Sequence, residues 1–468
     1  MEVDIRHYCI AYSPGAFRVL VDAQTYAEAD EKVSMKRFFS QAIPQGLKNY
    51  YHLAQAFFAC VYFRFPAREL KVIGVTGTNG KTTTVQFIAR ILERAGKKIA
   101  VASTINFQIG GQKWVNASKF TTLSPWELQS FLRAAARAEC EYAVLEISSH
   151  ALDQNRVWGV PYAIAVLTNV TREHLDYHKT MAEYRRIKRK LFFSAKQAVI
   201  NSDIDDPEYF HTHSNKTVLF YSVKNSQADA FAEKIELERA GTDFTLKGAR
   251  FHLNMPGLFN VENALAALCV ARLLEIDFSV ARETLKSIGG VPGRMERVPN
   301  TRGLNIILDY AVTPDAFEKL YASVLPFKLP DTQVIHVFGA CGERDRGKRP
   351  EMGAIASEYA DMIILTNEDP YYEDAERILD EIEQGVSNKK KNPARNIGQG
   401  VVNGYFRIFD RREAIHKAIT LAKSGDIILI TGKGAEMTLA VRDKRIPWNE
   451  RRVIEEELAK ISVKPTAG

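Results

Sequence analysis

Between residues 71 and 202, five near-continuous runs of Val, Ile, Leu and Ala recur with stretches of helical length between them, and this alternation constrains the fold more than any other feature. The runs are KVIGVTG (71–77), KIAVAS (98–103), YAVLEIS (142–148), AIAVLTNV (163–170) and QAVINS (197–202). A strand that is apolar at nearly every position is buried on both faces, as a parallel strand is when crossover helices cover it. The segments 82–95 and 124–140 have helix length and period, so the sequence predicts a doubly wound α/β sheet. A second series, LNIILDYA (304–311), QVIHVFGA (333–340), ADMIILTN (360–367) and DIILITG (426–432), predicts another. The Pro and Gly of VPGRMERVP (291–299) suit a hinge, which places a boundary at 298. Residues 1–69 hold no comparable strand series and predict a short N-terminal domain ahead of a central domain (70–298) and a C-terminal domain (299–468). No repeat of 20–50 residues is present, which excludes solenoids and propellers.

Chemistry concentrates where these strands end. Val75-Thr76-Gly77-Thr78-Asn79-Gly80-Lys81-Thr82-Thr83 follows the first run and opens a helix, resembling the latter half of the phosphate loop G-x-x-x-x-G-K-[ST]. Backbone N–H groups can reach phosphate oxygens there without a Cβ in the way, at a helix N-terminus that favours anions. In this loop Lys81 meets the β- and γ-phosphates and Thr82 binds Mg²⁺. The third run ends in Glu146-Ile147-Ser148-Ser149-His150, where a carboxylate beside the loop suits a second Mg²⁺ ligand. The fourth ends in TNVTREHLDYH (168–178). His174 and His178 there have no cysteine or third histidine at a zinc spacing, so a histidine serving a magnesium phosphate site is the better reading.

Composition sets outer limits. The 468 residues are 46% hydrophobic and 25% charged, with 63 Lys+Arg against 56 Asp+Glu, which excludes collagen, low-complexity disorder and disulfide scaffolds. The net charge of +7 is too diffuse to argue for nucleic acid and is compatible with an anionic small substrate. Cys9, Cys60, Cys140, Cys269 and Cys341 form no C-x-x-C pair and read as reduced thiols. No apolar segment reaches the roughly 18 residues of a membrane span, and the N-terminus lacks the pattern of a signal peptide. These features predict a cytoplasmic protein without stable membrane association. QAFFACVYFRF (55–65) is aromatic and apolar and stops at Pro66, which predicts a buried helix.

GTNGKTT, EISSHALDQNR, TNVTREHLDYH, DYAVTPDA, FGACGERDRGKRP and GKGAE, in that order, resemble the motifs of the Mur ligases over roughly residues 71–450. The resemblance implies a uridine-binding N-terminal domain, here short, a central P-loop ATPase-like parallel sheet and a C-terminal Rossmann-like domain that presents an amino acid. It also implies the reaction: ATP phosphorylates the D-glutamate carboxylate of UDP-MurNAc-L-Ala-D-Glu, and an amino acid's amine attacks the acyl phosphate to form an amide of a peptidoglycan precursor. ATP contacts are implied for Gly77, Thr78, Asn79, Gly80, Lys81, Thr82, Thr83, Asn260, Arg294 and Asp309, and Mg²⁺ contacts for Thr82 and Glu146. His174 and a carbamylated lysine are implied at a second Mg²⁺; M-x-x-Y-x-x-x-K, here 181–188, assigns the N6-carboxylysine to Lys188. Lys81, Glu146, His174 and Lys188 are thus the expected catalytic set. Contacts to the UDP-sugar dipeptide are implied for Thr121, Thr122, Ser148, Gln154 and Arg156, and to the amino acid for Arg344, Glu368, Asp369, Tyr371, Gly432 and Glu436.

Two departures stand out. Val312 occupies the histidine position of the family's DYAHTP motif. Family members specific for meso-diaminopimelate usually carry D-N-P-R, whose arginine holds the distal carboxylate, whereas this chain reads Glu368-Asp369-Pro370-Tyr371. Without that arginine and with added acids, L-lysine or another diamino acid lacking the distal carboxylate is expected as substrate. A ligase for another carboxylate acceptor (folylpolyglutamate, cyanophycin or pseudomurein type) and a non-catalytic nucleotide-binding scaffold are the alternatives, and a monomer is expected.

Overall fold

The computed structural model describes residues 45–116, 120–386 and 404–462. The chain divides into two compact units, 1–48 and 49–468. Of the first, only 45–48 are described, the opening residues of a helix, α1 (Gln45–Tyr62), so most of the expected N-terminal piece and Cys9 lie outside the described residues. From Asn49 onward α1 belongs to the larger unit, which divides the expected piece 1–69 at 48/49.

α1 is a helix as expected, but it is not a buried one. Only Ala56, Ala59 and Cys60 are buried, whereas Tyr50, Phe58 and Tyr62 are 72%, 64% and 69% exposed. The small residues lie one helical turn apart and form the packed stripe, so the aromatic residues fall on the other faces.

The first sheet has nine strands: β1 (Lys71–Thr76), β2 (Ile99–Ala102), β3 (Asn106–Ile109), β4 (Gln112–Val115), β5 (Tyr142–Glu146), β6 (Tyr162–Leu167), β7 (Ala195–Asn201), β8 (Thr217–Ser222) and β9 (Ala230–Phe231). Their spatial order is β4-β3-β2-β5-β1-β6-β7-β8-β9, with every pairing parallel except β2–β3 and β3–β4. All five runs from 71 to 202 are strands of this sheet. Alternate residues face two separate cores: Ile73, Val75, Val144 and Val166 on one side, Val72, Ala143, Leu145 and Leu167 on the other. Each fully buried Val, Leu or Ile contributes about 1.5–3 kcal/mol, so both faces anchor the sheet between helices.

Helices α2 (Lys81–Arg94), α3 (Pro125–Arg137), α4 (Ser149–Asp153), α5 (Leu175–His178) and α6 (Met181–Phe193) connect these strands. Ser124 caps α3 through a reciprocal bond with Glu127, with Pro125 at its first turn. A small antiparallel sheet of β10 (Glu233–Leu237), β11 (Thr242–Leu246) and β12 (Ala249–Leu253) precedes α7 (Leu258–Leu273) and α8 (Phe278–Ser287).

The second sheet contains β13 (Glu296–Val298), β14 (Asn305–Asp309), β15 (Val334–Phe338), β16 (Met362–Leu365), β17 (Gly404–Arg407) and β18 (Ile427–Thr431) in the order β13-β14-β18-β15-β16-β17. Only β13 is antiparallel, and its pairing with β14 starts this sheet at Glu296, just before the expected boundary. The four runs of the second series are its strands β14, β15, β16 and β18. Helices α9 (Pro314–Val324), α10 (Lys348–Tyr359), α11 (Ala375–Glu383), α12 (Arg411–Leu421) and α13 (Glu450–Ser462), with the hairpin β19 (Thr438–Val441) and β20 (Lys444–Pro447), complete this part.

The carboxyl ends of β1, β5 and β6 and those of β14, β15, β16 and β18 supply residues to one cleft of about 740 Å³. Ligands of open α/β sheets bind at such carboxyl edges. Here two sheets present theirs to a common space.

Candidate active site

The loop from Gly77 to Lys81 is shaped by the end of β6. Thr78 N donates to Asn169 O at 3.0 Å, Asn79 N to Asn169 Oδ1 at 2.8 Å, and Thr168 Oγ1 to Asn79 O at 2.6 Å. Gly80 caps α2 at φ 81, and a Cβ there would stand 2.3 Å from Asn263 Oδ1. Glycine is therefore required on both conformational and steric grounds. Lys81 Nζ folds onto its own loop, donating to Gly77 O at 3.1 Å and Thr78 O at 2.8 Å. Thr78, Asn79, Gly80, Lys81, Thr82 and Thr83 all line the cleft.

Thr82 and Glu146 converge. The Thr82 hydroxyl lies 3.1 Å from each Glu146 oxygen, Glu146 Oε2 accepts from Thr104 N at 2.8 Å, and Arg294 Nη2 donates to Thr82 Oγ1 at 3.2 Å. A hydroxyl and a buried carboxylate at the carboxyl edge of a parallel sheet form a hard oxygen donor set that fits Mg²⁺. Asp309, half-buried at the end of β14, accepts from Met295 N at 2.7 Å, which ties the Arg294 loop to the second sheet. Asn260 is fully buried and donates to Pro256 O at 2.7 Å, away from the cleft lining. Asn263, one turn along α7, lines the cleft instead. The N-rich start of that helix carried the signal, but not which asparagine faces in.

His174 and Lys188 flank the same region. His174 has φ 57, opens α5 and lines the cleft; burial and the nearby Lys348, Lys188 and Lys81 hold its imidazole well below the usual histidine range, so it is neutral. Lys188 is 1% exposed on α6, with Nζ 4.4 Å from the Tyr184 ring, and no salt bridge joins it to an acid among the described residues. Burial first, then Lys81, push its amine well below the usual lysine range. His150, which sequence reasoning did not single out, also lines the cleft; its ring lies 4.7 Å from that of His174, and burial depresses its pKa to about 2.

The residues expected around the acceptor form one polar wall. Thr122 Oγ1 donates to Glu146 O at 2.9 Å and accepts from Ser148 N at 2.9 Å; Arg156 Nη1 donates to Thr122 O at 3.1 Å. Thr121 accepts from Thr104 Oγ1 at 3.2 Å, and Gln154 donates to the Tyr177 hydroxyl at 3.4 Å. Arg156 Nε is buried without a hydrogen bond, a donor suited to an anion. His52 and Gln55 of α1 join this wall, a contribution that α1 gave no sequence signal for.

Across the cleft, Arg344, Glu368, Asp369, Tyr371 and Glu436 line the remaining wall. Asp369 and Glu436 both accept from Lys433, which is fully buried and was not among the expected site residues; Asp369 Oδ1 also accepts from Ala440 N at 2.7 Å. Glu368 differs: its Oε2 is buried without a hydrogen bond, and burial raises its carboxyl to about 7. The two acids expected to add negative charge are therefore unequal, Asp369 being neutralised and Glu368 unpaired. Gly432 lies behind the wall at φ 111, where a Cβ would meet Glu368 Oε2 at 2.5 Å. Tyr371 takes φ 51 and is fixed by Arg442 N donating to its carbonyl at 2.7 Å. Val312 lines the cleft as well.

A phosphate loop facing an acidic and arginine-bearing wall of a second parallel sheet is the arrangement of an ATP-dependent ligase. Residues 75–271 match the Mur ligase middle domain and residues 293–434 the Mur ligase glutamate ligase domain. A UDP-N-acetylmuramyl-tripeptide synthetase of Roseiflexus sp. (strain RS-1) is 38% identical over 87% of this chain and 82% of its own length. A UDP-N-acetylmuramoyl-L-alanyl-D-glutamate–2,6-diaminopimelate ligase of Geobacillus thermodenitrificans (strain NG80-2) is 35% identical over 97% and 93%. A solved UDP-N-acetylmuramoyl-L-alanyl-D-glutamate–2,6-diaminopimelate ligase superposes with a TM-score of 0.57 at 32% identity, covering 84% of this chain and 79% of that one. Folylpolyglutamate synthase of Mycobacterium tuberculosis, at 16% identity and a TM-score of 0.63 over 88% and 95%, shares the fold. The chain belongs to the Mur ligase family and is an ATP-dependent ligase that forms amide bonds.

Proposed function

We propose that this ligase joins a diamino acid without a distal carboxylate, L-lysine being the simplest, to the D-glutamate carboxylate of UDP-MurNAc-L-Ala-D-Glu in peptidoglycan precursor synthesis. The observation that carries the amino-acid choice is the pair Glu368 and Tyr371. The unpaired carboxylate of Glu368 lines the wall where Tyr371 stands at the position of the diaminopimelate-binding arginine. The arginines lining the cleft are Arg156, Arg294 and Arg344, and Arg344 is the family's partner for the α-carboxylate. Glu368 thus offers a side-chain ammonium a partner, whereas Tyr371 offers a distal carboxylate none.

Each part of the chain has a task in this reaction. Lys81 leaves its loop carbonyls to meet the β- and γ-phosphates, and Arg294 turns from Thr82 to phosphate oxygens. Arg156 holds the anionic acceptor with its carboxylate toward the phosphate loop. Thr82 and Glu146 would hold one Mg²⁺, and His174 with carbamylated Lys188 a second; bound there, the ions offset the charge that builds when carboxylate meets γ-phosphate. Lys188 suits carbamylation because burial and then Lys81 favour the neutral amine, and only the free amine adds CO₂ with loss of a proton. Arg344 and Glu368 then orient the incoming amino acid so that its α-amine attacks the acyl phosphate and phosphate leaves. No helix among the described residues is long and apolar enough to cross a membrane. A cytoplasmic site of action as a monomer suits these water-soluble substrates.

Phosphate release from ATP in the presence of UDP-MurNAc-L-Ala-D-Glu and a panel of amino acids tests the proposal. L-Lysine is expected to give a higher kcat/KM than meso-diaminopimelate. The reverse order would overturn the amino-acid assignment, and the absence of any amino-acid-dependent release would overturn the acceptor assignment.

A further inference from the structure

Tyr310 directly follows β14 and lies between the nucleotide side and the amino-acid side of the cleft. On the nucleotide side the Arg294 guanidinium carbon stands 4.4 Å from the centre of its ring, and the same guanidinium donates to Thr82 Oγ1 at 3.2 Å. On the amino-acid side its hydroxyl donates to Glu436 Oε1 at 3.4 Å. Glu436 accepts in turn from Lys433 through its other oxygen, and Lys433 donates to Asp369 Oδ2 at 2.8 Å. An unbroken series of contacts therefore leads from the first turn of α2 to the acids of the far wall.

The two ends of this series respond differently to ligands. Arg294 has weak, neutral partners in the Thr82 hydroxyl and the Gly293 carbonyl, and a polyphosphate offers its planar fork a much stronger, bidentate one. Stacking on Tyr310 restricts how the guanidinium can turn without displacing the ring. Glu436 is anchored through Oε2 to the fully buried Lys433, while its Oε1 takes the Tyr310 bond. The negative charge of Glu436 keeps the Tyr310 phenol protonated, so the hydroxyl remains a donor to it.

We infer that Tyr310 is a positioning residue that sets Glu436 according to the state of Arg294, so that nucleotide occupancy raises the affinity for the amino acid. This rests on the reading above that Arg294 meets the nucleotide and Glu436 the amino acid. By linkage the effect is reciprocal, and an energetic coupling of this kind is commonly at least about fivefold in affinity.

The experiment is calorimetric titration of the whole chain with L-lysine in the presence of UDP-MurNAc-L-Ala-D-Glu, with and without Mg²⁺ and the non-hydrolysable β,γ-imido analogue of ATP. In the unsubstituted protein the analogue is expected to tighten L-lysine about fivefold or more. Tyr310→Phe keeps the ring and loses the bond to Glu436; it should abolish the tightening, change analogue affinity by less than about twofold, and leave the melting temperature unchanged. Tyr310→Leu removes the stacking surface and should weaken the analogue as well. Full coupling in Tyr310→Phe, or none in the unsubstituted protein, overturns the inference. Loss of coupling together with a lowered melting temperature overturns it equally, by making the role structural. If L-lysine does not bind, the amino-acid assignment has failed, and the same titration is run with the amino acid that drives phosphate release. If none does, the ligase reading of the substrates fails and takes the inference with it.

Discussion

Lys433 Nζ lies 2.8 Å from Asp369 Oδ2, a salt bridge between a fully buried ammonium and a carboxylate 4% exposed. Glu436 shares the same ammonium, so the floor of the amino-acid wall is a lysine held between two acids. Removing one partner of a buried pair leaves an uncompensated charge and costs about 3–5 kcal/mol. Lys433→Met is therefore expected to lower stability by that order in urea unfolding, with both acids left facing one another. Asp369→Asn keeps the shape and should cost less. Equal stability of Lys433→Met and the unsubstituted protein would show that the acids are solvated rather than paired.

Glu368 sits beside this trio without a partner for Oε2, and its pKa of about 7 arises first from burial; Arg411 and Lys433 lower it while Asp369 and Glu436 raise it. The group is neutral below that pH and negative above it. An ammonium needs the negative form, so affinity for L-lysine is gained as pH rises through about 7 and lost as it falls. Between pH 6 and 8 the ionised fraction changes about tenfold, and KM for L-lysine should fall by a comparable factor. Glu368→Gln should raise KM for L-lysine by roughly 10–100-fold, the loss of one charged hydrogen bond, and remove this pH dependence. A pH profile of KM for L-lysine that is the same in Glu368→Gln and in the unsubstituted chain would count against the assignment.

Tyr371 occupies the position where a distal carboxylate would need a cation. Its φ of 51 is enforced by the backbone bonds to Ala440 and Arg442, so a substituted side chain should enter the cleft in the same place. Tyr371→Arg is expected to shift the ratio of kcat/KM for meso-diaminopimelate over L-lysine upward by about 10-fold or more, the range of one charge-assisted bond. Competition between the two amino acids in one reaction, resolved by the mass of the product, measures the ratio directly.

The strands were legible because burial on both faces leaves a short apolar run rich in β-branched residues and bounded by turn residues, as in IILIT of β18. The short partly exposed strands escaped that criterion: EKIEL of β10 is polar at most positions, and the β3–β4 hairpin is marked by Gly110-Gly111 and not by its strands. In α1, aromatic content suggested burial, yet the packed stripe is made of Ala56, Ala59 and Cys60. Within the site, Thr82 and Glu146 were readable because each ends or follows a strand, where topology dictates the direction of the side chain. Lys433 was not, because its meaning depends on a partner 64 residues earlier that only the carboxyl edge of the second sheet, where β15 separates β16 from β18, brings near. Asn260 and Asn263 differ by less than one turn, and only packing of α7 against the sheet decides which of them faces the cleft.

Lys188 poses the sharpest chemical question, because it is 1% exposed and burial, then Lys81, push its amine well below the usual lysine range. An unmodified neutral amine has no charge to offer a cation, and a protonated one would repel it. The proposed carbamylation would resolve both problems by converting the amine into an anion near His174. Lys188→Ala is then expected to lose about 10²–10³-fold in kcat, the order found when one electrostatic partner of a transition state is removed. Short carboxylates such as acetate or formate should restore part of that loss by entering the space the side chain leaves, whereas chloride at the same ionic strength should not. A structural role for Lys188 would give a different pattern, with a lowered melting temperature and no response to carboxylates. Depleting bicarbonate from the unsubstituted enzyme should lower kcat reversibly, and a rate indifferent to both treatments would remove Lys188 from the catalytic set.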